Sequence, residues 1–155
     1  MCVVADPPTL IPMFKQTDPE HIAFAPVRDW IVTGPGKFII GGSKYKKELS
    51  AVKSIIPFLL ELQRRGKIVS CIDAAVDAEE AAVKLIEPAV DFDDPHLVAL
   101  IRLTGCRLIC IRDPRSHRFL RATRLYVTSG DRPRLYTRAK NKTLLHHANV
   151  APCCR

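Results

Sequence analysis

Short apolar segments alternate with segments of helical periodicity, and this alternation limits the possible folds more than any other feature. Four segments have strand-like composition: residues 2–5, 37–40, 67–72 and 107–111. Glycine, proline or aspartate follows each of them closely, which is typical of strand ends. Strands that alternate with helices form a parallel sheet with helices on both faces. We therefore expect an α/β fold: a three-layer sandwich with a central, mostly parallel sheet of four to five strands, residues 133–136 being a short edge strand.

Helical segments fill the intervals between these strands. Apolar spacing predicts helices over residues 20–30, 44–65, 77–87 and 94–104. Pro57 should split or kink the second helix, and Ser43 should be its N-cap. In the last helix, Asp94 has the cap position and Pro95 the first helical position, while Gly105 ends the segment.

The length of the chain suits a single domain with a tail. The 155 residues are enough for one core, which we assign to residues 1–138, followed by a basic and apolar tail at 139–155. No apolar run approaches the ~20 residues that a membrane span needs. The first residues show no basic flank before a long apolar stretch, so we expect no secretory signal and no membrane contact. The expected location is the cytoplasm.

Charge is distributed unevenly along the chain. The net charge is +8, with a balance of −3 over residues 1–100 and +11 over residues 101–155. A basic surface beside an acidic site suits an enzyme that cuts phosphodiester bonds, since cations hold the polyanion and carboxylates hold a metal. The alternative is that the basic residues keep the surface soluble or bind an acidic protein.

Four acids stand where a site is expected. Active sites in parallel α/β folds lie beyond the carboxyl ends of the strands. Asp6 and Asp113 come at or just past strand ends, and Glu48 lies early in the helix after the second strand. Asp94 begins a helix that leads into a strand, so it reaches this edge only if that helix crosses the sheet obliquely. Taken singly, each acid is equally well explained as a cap, a turn residue or an exposed charge.

Clustered carboxylates repel one another and are tolerated when a divalent cation neutralises them. Hard oxygen ligands favour Mg²⁺ or Mn²⁺. Together the four acids predict a metal site of this kind.

The four acids and their neighbours resemble the PIN-domain nucleases over about residues 2–125. The matching motifs are Val-Val-Ala-Asp at Asp6, Tyr-Lys-Lys-Glu-Leu at Glu48, Asp-Asp-Pro-His-Leu-Val-Ala-Leu at Asp94, and Leu-Ile-Cys-Ile-Arg-Asp at Asp113. The resemblance implies Mg²⁺- or Mn²⁺-dependent hydrolysis of RNA rather than DNA, with all four acids as catalytic metal ligands. It also implies a toxin with an antitoxin partner, and a homodimer.

The chain departs from the family at two positions. Pro8 and Ile111 stand where the family often has a small polar residue that positions water or a carboxylate. Thr9 and Ser43 are the candidates to replace them, and Asp93 is a candidate supporting acid. A catalytically degenerate member that only binds nucleic acid or protein is the alternative function.

Several basic residues lie close to these acids in sequence. The candidates for contact with nucleic acid are Lys44, Lys47, Arg112, Arg115 and Arg118. Arginine recurs every third residue from 112 to 124, which at helical spacing would form a basic stripe suited to RNA. A solvated helical face explains the lysines equally well. For His96, two residues after Asp94, we expect packing or capping rather than proton transfer.

The cysteines need an account other than disulfides in an intracellular protein. Cys71, Cys106 and Cys110 have apolar neighbours and are expected to be core thiols. A third hypothesis is a zinc-stabilised interaction protein that uses the end of the chain. Its ligands would be His146, His147, Cys153 and Cys154.

Overall fold

The computed structural model describes residues 1–146, 151 and 154. Within them, five strands form one sheet in the order β3-β2-β1-β4-β5. The strands are β1 (Cys2–Ala5), β2 (Lys37–Ile40), β3 (Ile68–Ser70), β4 (Leu108–Cys110) and β5 (Arg134–Tyr136). All neighbouring pairs are parallel, so the expected α/β fold is confirmed, and the predicted edge strand is β5.

Helices flank the sheet as the outer layers of a three-layer sandwich. They are α1 (Leu10–Phe14), α2 (His21–Val32), α3 (Ser43–Ala51), α4 (Ile56–Arg64), α5 (Asp73–Ile86), α6 (Pro95–Thr104) and α7 (His117–Leu120). Among the described residues, no helix combines the length and apolar character required to span a bilayer.

The central position of β1 follows from its composition. All four of its residues are buried, which matches a strand covered on both faces. Val4 pairs with Ile39 on one side and with Ile109 on the other. The residue that follows β1 therefore emerges at the middle of the sheet's carboxyl edge.

Local signals place α6 as predicted. Asp94 is at its N-cap, Pro95 lies in its first turn, and Gly105 ends it in the left-handed conformation with φ 66°. Proline costs nothing at a position whose N–H has no intrahelical partner, and glycine has no Cβ to oppose positive φ. This helix carries Asp94 to the carboxyl edge of the sheet.

The long helix predicted at 44–65 is divided, as Pro57 indicated. It forms α3, a 3₁₀ turn at Lys53–Ile55, and α4, with Pro57 in the first turn of α4. The prediction of Ser43 as N-cap was wrong. Gly42 has that position at φ 86°, and a Cβ there would lie 2.6 Å from Val76 Cγ1.

The start of the chain differs from prediction, and so does the start of the fifth helix. No helix was predicted over residues 7–14, yet Pro7–Thr9 forms a 3₁₀ turn that leads into α1. The fifth helix begins at Asp73, four residues before the predicted start. In both places the prolines or acids belong to a first helical turn, where both residue types are favourable.

The end of the chain folds back onto the domain. Residues Ala139–Leu144 form a 3₁₀ helix that packs against α2. Cys154 is joined to Cys2 in a disulfide with the Cα atoms 6.2 Å apart, so the expectation of no disulfide was wrong for this pair. Cys106 and Cys110 are buried, as expected of core thiols, and Cys71 is half-buried. The disulfide removes Cys154 from the proposed zinc ligands, and two other candidates, His147 and Cys153, lie outside the described residues.

Candidate active site

The four predicted acids face one open cleft beyond the carboxyl ends of β1 and β4. The cleft has a volume of about 500 Å³. Its lining comprises Asp6, Pro8, Glu20, Glu48, Asp93, Asp94, Arg112, Asp113, Pro114 and Arg115. Asp94, the acid with the most difficult path to this edge, thus shares the cleft with the other three.

Asp6 forms the floor of the cleft. It follows β1 directly, and its backbone N–H donates to the Cys110 carbonyl of β4 over 3.0 Å. Its side chain is only 7% exposed. Burial raises the pKa of Asp6 to about 7, and the negative charges of Asp94, Glu48 and Asp113 add to this rise.

Thr9 supports Asp6 from the 3₁₀ turn that follows. The Thr9 hydroxyl is fully buried and donates to Asp6 Oδ2 over 3.4 Å. This bond acts to lower the pKa of Asp6 but does not outweigh burial. The structure therefore provides a hydroxyl beside Asp6 one position after Pro8.

Glu48 approaches the cleft from α3. Its Oε2 lies 3.3 Å from His96 Nε2, and its Oε1 lies 3.9 Å from Lys44 Nζ. Burial raises the pKa of Glu48, but His96 and Lys44 outweigh that effect and hold the pKa below its ordinary value. Glu48 is thus the acid of the cleft that has an imidazole beside it.

Asp94 does not use its carboxylate as a helix cap. It occupies the N-cap of α6, but its side chain makes no capping hydrogen bond. Oδ2 accepts a hydrogen bond from the hydroxyl of Ser116 instead. Sequence reasoning missed Ser116; the available signal was a hydroxyl placed three residues after Asp113.

Asp113 is held by its own loop. It caps the 3₁₀ turn Pro114–Ser116 by accepting from the Arg115 backbone N–H over 2.9 Å. The Arg115 guanidinium also donates to Asp113 Oδ2, from Nε at 3.0 Å and from Nη2 at 2.7 Å. These bonds hold the pKa of Asp113 below its ordinary value.

The arginines predicted to bind nucleic acid are engaged in ion pairs. Arg112 contacts Glu20 at 2.8 Å, and Arg118 contacts Asp91. Glu20 lines the cleft although it precedes α2, and neither a motif nor a periodic pattern pointed to it. Arg112 and Arg115 line the cleft themselves.

The expected arginine stripe is wrong as a single helical face. Residues 112–125 form a 3₁₀ turn at Pro114–Ser116, the short helix α7 and a second 3₁₀ turn at Thr123–Leu125. The three-residue spacing therefore never completes more than one turn of continuous α-helix. Each arginine takes its direction from its own turn.

Ser43 does not support the cleft acids, which corrects its predicted role. Its hydroxyl donates to Asp77 Oδ2 over 2.6 Å, and its backbone N–H donates to Asp77 Oδ1 over 2.8 Å. Lys44 Nζ reaches the backbone carbonyl of Asp93, while Lys47 is exposed on α3. Asp93 itself lines the cleft.

The chemistry of the donor set fits a hard divalent cation. The cleft offers carboxylate oxygens from several acids, and burial beside like charges makes the Asp6 anion unfavourable without a cation. In residues 1–146, 151 and 154, no three His, Cys, Asp or Glu side chains form a group arranged to hold a metal ion. Asp6 and Asp94 at the floor, with Glu48 and Asp113 at the sides, are the residues that would approach such an ion.

A depression of similar size lies between α1, α2 and α4. Its volume is about 530 Å³, and its walls include Phe14, Ile55, Phe58 and Leu62. Its charged lining residues are mostly basic, namely Lys15, Arg28 and Arg65 with the single acid Glu61. The acidic cleft is instead a site at which several carboxylates meet.

Comparisons with protein-family models, curated proteins and solved structures found no significant match to this chain. The geometry of the cleft and the chemistry of its side chains are therefore the basis for assigning a function.

Proposed function

We propose that this chain is a metal-dependent endoribonuclease of the PIN type that hydrolyses RNA phosphodiester bonds in the acidic cleft. One observation carries the proposal: four acids from separate parts of the chain line one cleft, and the most buried of them has its pKa raised to about 7. Such an arrangement is costly to stability and is typical of functional sites. Mg²⁺ or Mn²⁺ is the cofactor that suits an all-carboxylate donor set.

The residues of the floor would hold the cation. A bound divalent ion polarises a phosphoryl oxygen and lowers the pKa of water. Asp6 and Asp94 supply carboxylate oxygens, and Glu48 and Asp113 complete the set from either side. Thr9 and Ser116 orient the two floor carboxylates by hydrogen bonds, which is the task left open by Pro8 and Ile111.

Basic residues around the cleft would hold the RNA backbone. Arg112 and Arg115 line the cleft, with Lys44, Lys47 and Arg118 as further candidates. A guanidinium that pairs with a carboxylate can exchange it for a phosphate, because both anions offer two oxygen atoms that accept parallel N–H hydrogen bonds. The balance of +11 over residues 101–155 favours association with a polyanion.

A non-catalytic module that binds nucleic acid or protein is the second candidate. The observation that favours it is the pairing of Asp113, which accepts three hydrogen bonds from the Arg115 guanidinium and one from its backbone. The Arg115 guanidinium thus occupies the position beside Asp113 that a metal ion would take. In this case the cleft would bind without cutting.

An RNA cleavage assay with Mg²⁺ or Mn²⁺ separates the two candidates. We expect cutting by the wild type and a loss of about a thousandfold in Asp6→Asn and Asp94→Asn, since metal stabilisation of the transition state is worth several kcal/mol. Asp29→Asn is the matched control, because Asp29 is an exposed acid on α2 paired with Arg28. Equal cutting by all four proteins would overturn the proposal, and RNA binding without cutting would favour the second candidate.

The toxin role, an antitoxin partner and a homodimer rest on the resemblance, and a cytoplasmic location is proposed with them. A small reading frame that overlaps or adjoins this one would supply the antitoxin. We expect its product to copurify with this chain and to suppress cleavage. Absence of any effect of that product on cleavage would remove the toxin role and leave the nuclease assignment standing.

A further inference from the structure

His96 lies behind the cleft in an arrangement that packing alone does not explain. It is in the first turn of α6 and is completely buried. Among the described residues, neither of its ring nitrogens has a hydrogen-bond partner. Nε2 lies 3.3 Å from Glu48 Oε2, at ion-pair distance but without the alignment of a hydrogen bond.

We propose that His96 is a positioning residue that holds the Glu48 carboxylate toward the floor of the cleft. The inference rests on the proposed function for its consequence in catalysis, while the contact itself is independent of it. Glu48 has a long side chain on a partly exposed helix, and such a side chain loses rotamer entropy when it is fixed. A contact with a buried imidazole of fixed orientation offsets that loss of entropy.

The surroundings of His96 keep its ring in place. The ring of Tyr45 is tilted against it with the centroids 6.1 Å apart, and Tyr45 is itself fully buried. The Tyr45 hydroxyl donates to the Ala5 carbonyl over 2.7 Å, next to Asp6. His96 therefore connects the start of α6 with α3 and with the end of β1, the three elements that deliver Asp94, Glu48 and Asp6.

An apolar residue would serve better if this position were only part of the core. A buried polar group without a hydrogen bond costs roughly 1–3 kcal/mol. The cation near Glu48 is Lys44, which is 3.9 Å away and partly exposed, so solvent screens its effect. The imidazole is thus the polar group best placed to fix the Glu48 carboxylate.

Two substitutions at His96 test this role. His96→Leu removes both ring nitrogens and fills the site with an apolar side chain. His96→Gln instead places an amide nitrogen near the position of Nε2. We expect His96→Leu to weaken Mn²⁺ binding by about 10- to 100-fold, the usual range for partners of metal ligands, and to lower kcat more than it changes KM. His96→Gln should recover most of both losses. Equal losses in the two variants would show that only packing matters and would overturn the proposal.

The metal-free protein provides a second readout that does not depend on activity. The ¹⁵N resonances of the His96 imidazole should shift on Glu48→Gln and stay unchanged on Glu61→Gln, an exposed acid on α4. An imidazole spectrum that is insensitive to Glu48→Gln would overturn the positioning role.

If the wild type neither binds Mn²⁺ nor cuts RNA, the proposed function fails, and the imidazole shift alone then decides whether His96 holds Glu48. If the wild type cuts and His96→Leu cuts equally well, this inference fails and the nuclease assignment stands.

Discussion

The two sides of the cleft compensate their carboxylates by different means. The floor consists of Asp6 and Asp94, and Glu48 lies on the side next to it. The partners of these three acids are the hydroxyls of Thr9 and Ser116, the imidazole of His96 and the more distant Lys44. The rim consists of Asp113 and Glu20, whose partners are Arg115 and Arg112. Neutral hydroxyls therefore donate hydrogen bonds to Asp6 and Asp94, whereas guanidinium groups form ion pairs with the acids of the rim.

The pKa values of Asp6 and Asp113 show the same contrast. Glu48 departs from it, because burial raises its pKa but His96 and Lys44 hold it below the ordinary value. Burial and the neighbouring acids raise the pKa of Asp6 to about 7, whereas the hydrogen bonds of Arg115 lower the pKa of Asp113. The same chemical group thus shifts in opposite directions within one cleft, because one copy lies at a buried strand end and the other beside an arginine. The floor keeps a repulsion that a cation would relieve, while the rim is already neutral.

This difference suggests a division of tasks between the two sides. A cation gains most at the floor, where carboxylates lack full compensation. A phosphate gains most at the rim, where arginines are present and can exchange partners. Substitutions that change one side at a time therefore separate the two tasks.

The largest expected effect on stability comes from the floor. In metal-free protein at pH 8, Asp6→Asn should raise the free energy of unfolding by roughly 2–4 kcal/mol, because the variant no longer has to ionise a buried acid. The folded pKa of about 7 lies above the ordinary value of 3.8, so the contribution of Asp6 to stability should be lost as pH rises from about 4 to about 7, and the difference between Asp6→Asn and wild type should grow over this range. Urea unfolding at pH 4.5 and pH 8 in the presence of a chelator measures this.

The rim provides the control for that measurement. The folded pKa of Asp113 is lowered, so its contribution to stability is present above the ordinary pKa and is lost as pH falls. Asp113→Asn should therefore lower stability at pH 8, the opposite sign to Asp6→Asn. A decrease in stability for both variants would contradict the contrast between floor and rim.

Local signals in the sequence were sufficient for the sheet and for most of the floor. The apolar strands ended where glycine, proline or aspartate stopped them, and parallel strands bring those ends to one edge. Asp6, Glu48 and Asp113 were found for that reason, and the family resemblance supplied Asp94. Pro95 and Gly105 fixed the two ends of α6 because each acts on its own turn.

The partners of those acids could not be predicted in the same way. Arg112 pairs with Glu20 across 92 positions, and Ser116 reaches Asp94 across 22. Ser43 is a residue type typical of a local helix cap, yet its hydroxyl donates a hydrogen bond to Asp77, 34 positions away. Such pairings depend on how the elements pack, and no spacing rule encodes them.

A smaller effect is expected from the hydroxyls of the floor. Ser116→Ala should weaken Mn²⁺ binding about tenfold, since a hydrogen bond to a charged group contributes roughly 1.5–3 kcal/mol and part of this orients Asp94. Thr9→Val should cost less, because the Thr9 bond to Asp6 is long at 3.4 Å. Calorimetric titration with Mn²⁺ measures both, and Ser116→Thr, which keeps a hydroxyl, is the matched control. A larger loss for Thr9→Val than for Ser116→Ala would reverse this ranking.

The smallest effect is expected at the rim, where Arg115→Gln would release Asp113. An exposed ion pair contributes about 0.2–1 kcal/mol, so Mn²⁺ binding should tighten by no more than about fivefold. RNA binding should weaken at the same time, and its salt dependence should fall by about one counterion, because one phosphate contact is lost. Arg112→Gln, which releases Glu20 instead, should weaken RNA binding to a similar extent but leave Mn²⁺ affinity unchanged. If Arg115→Gln weakened Mn²⁺ binding, the guanidinium would be supporting Asp113 as a ligand, and the separation of a cation-binding floor from a phosphate-binding rim would fail.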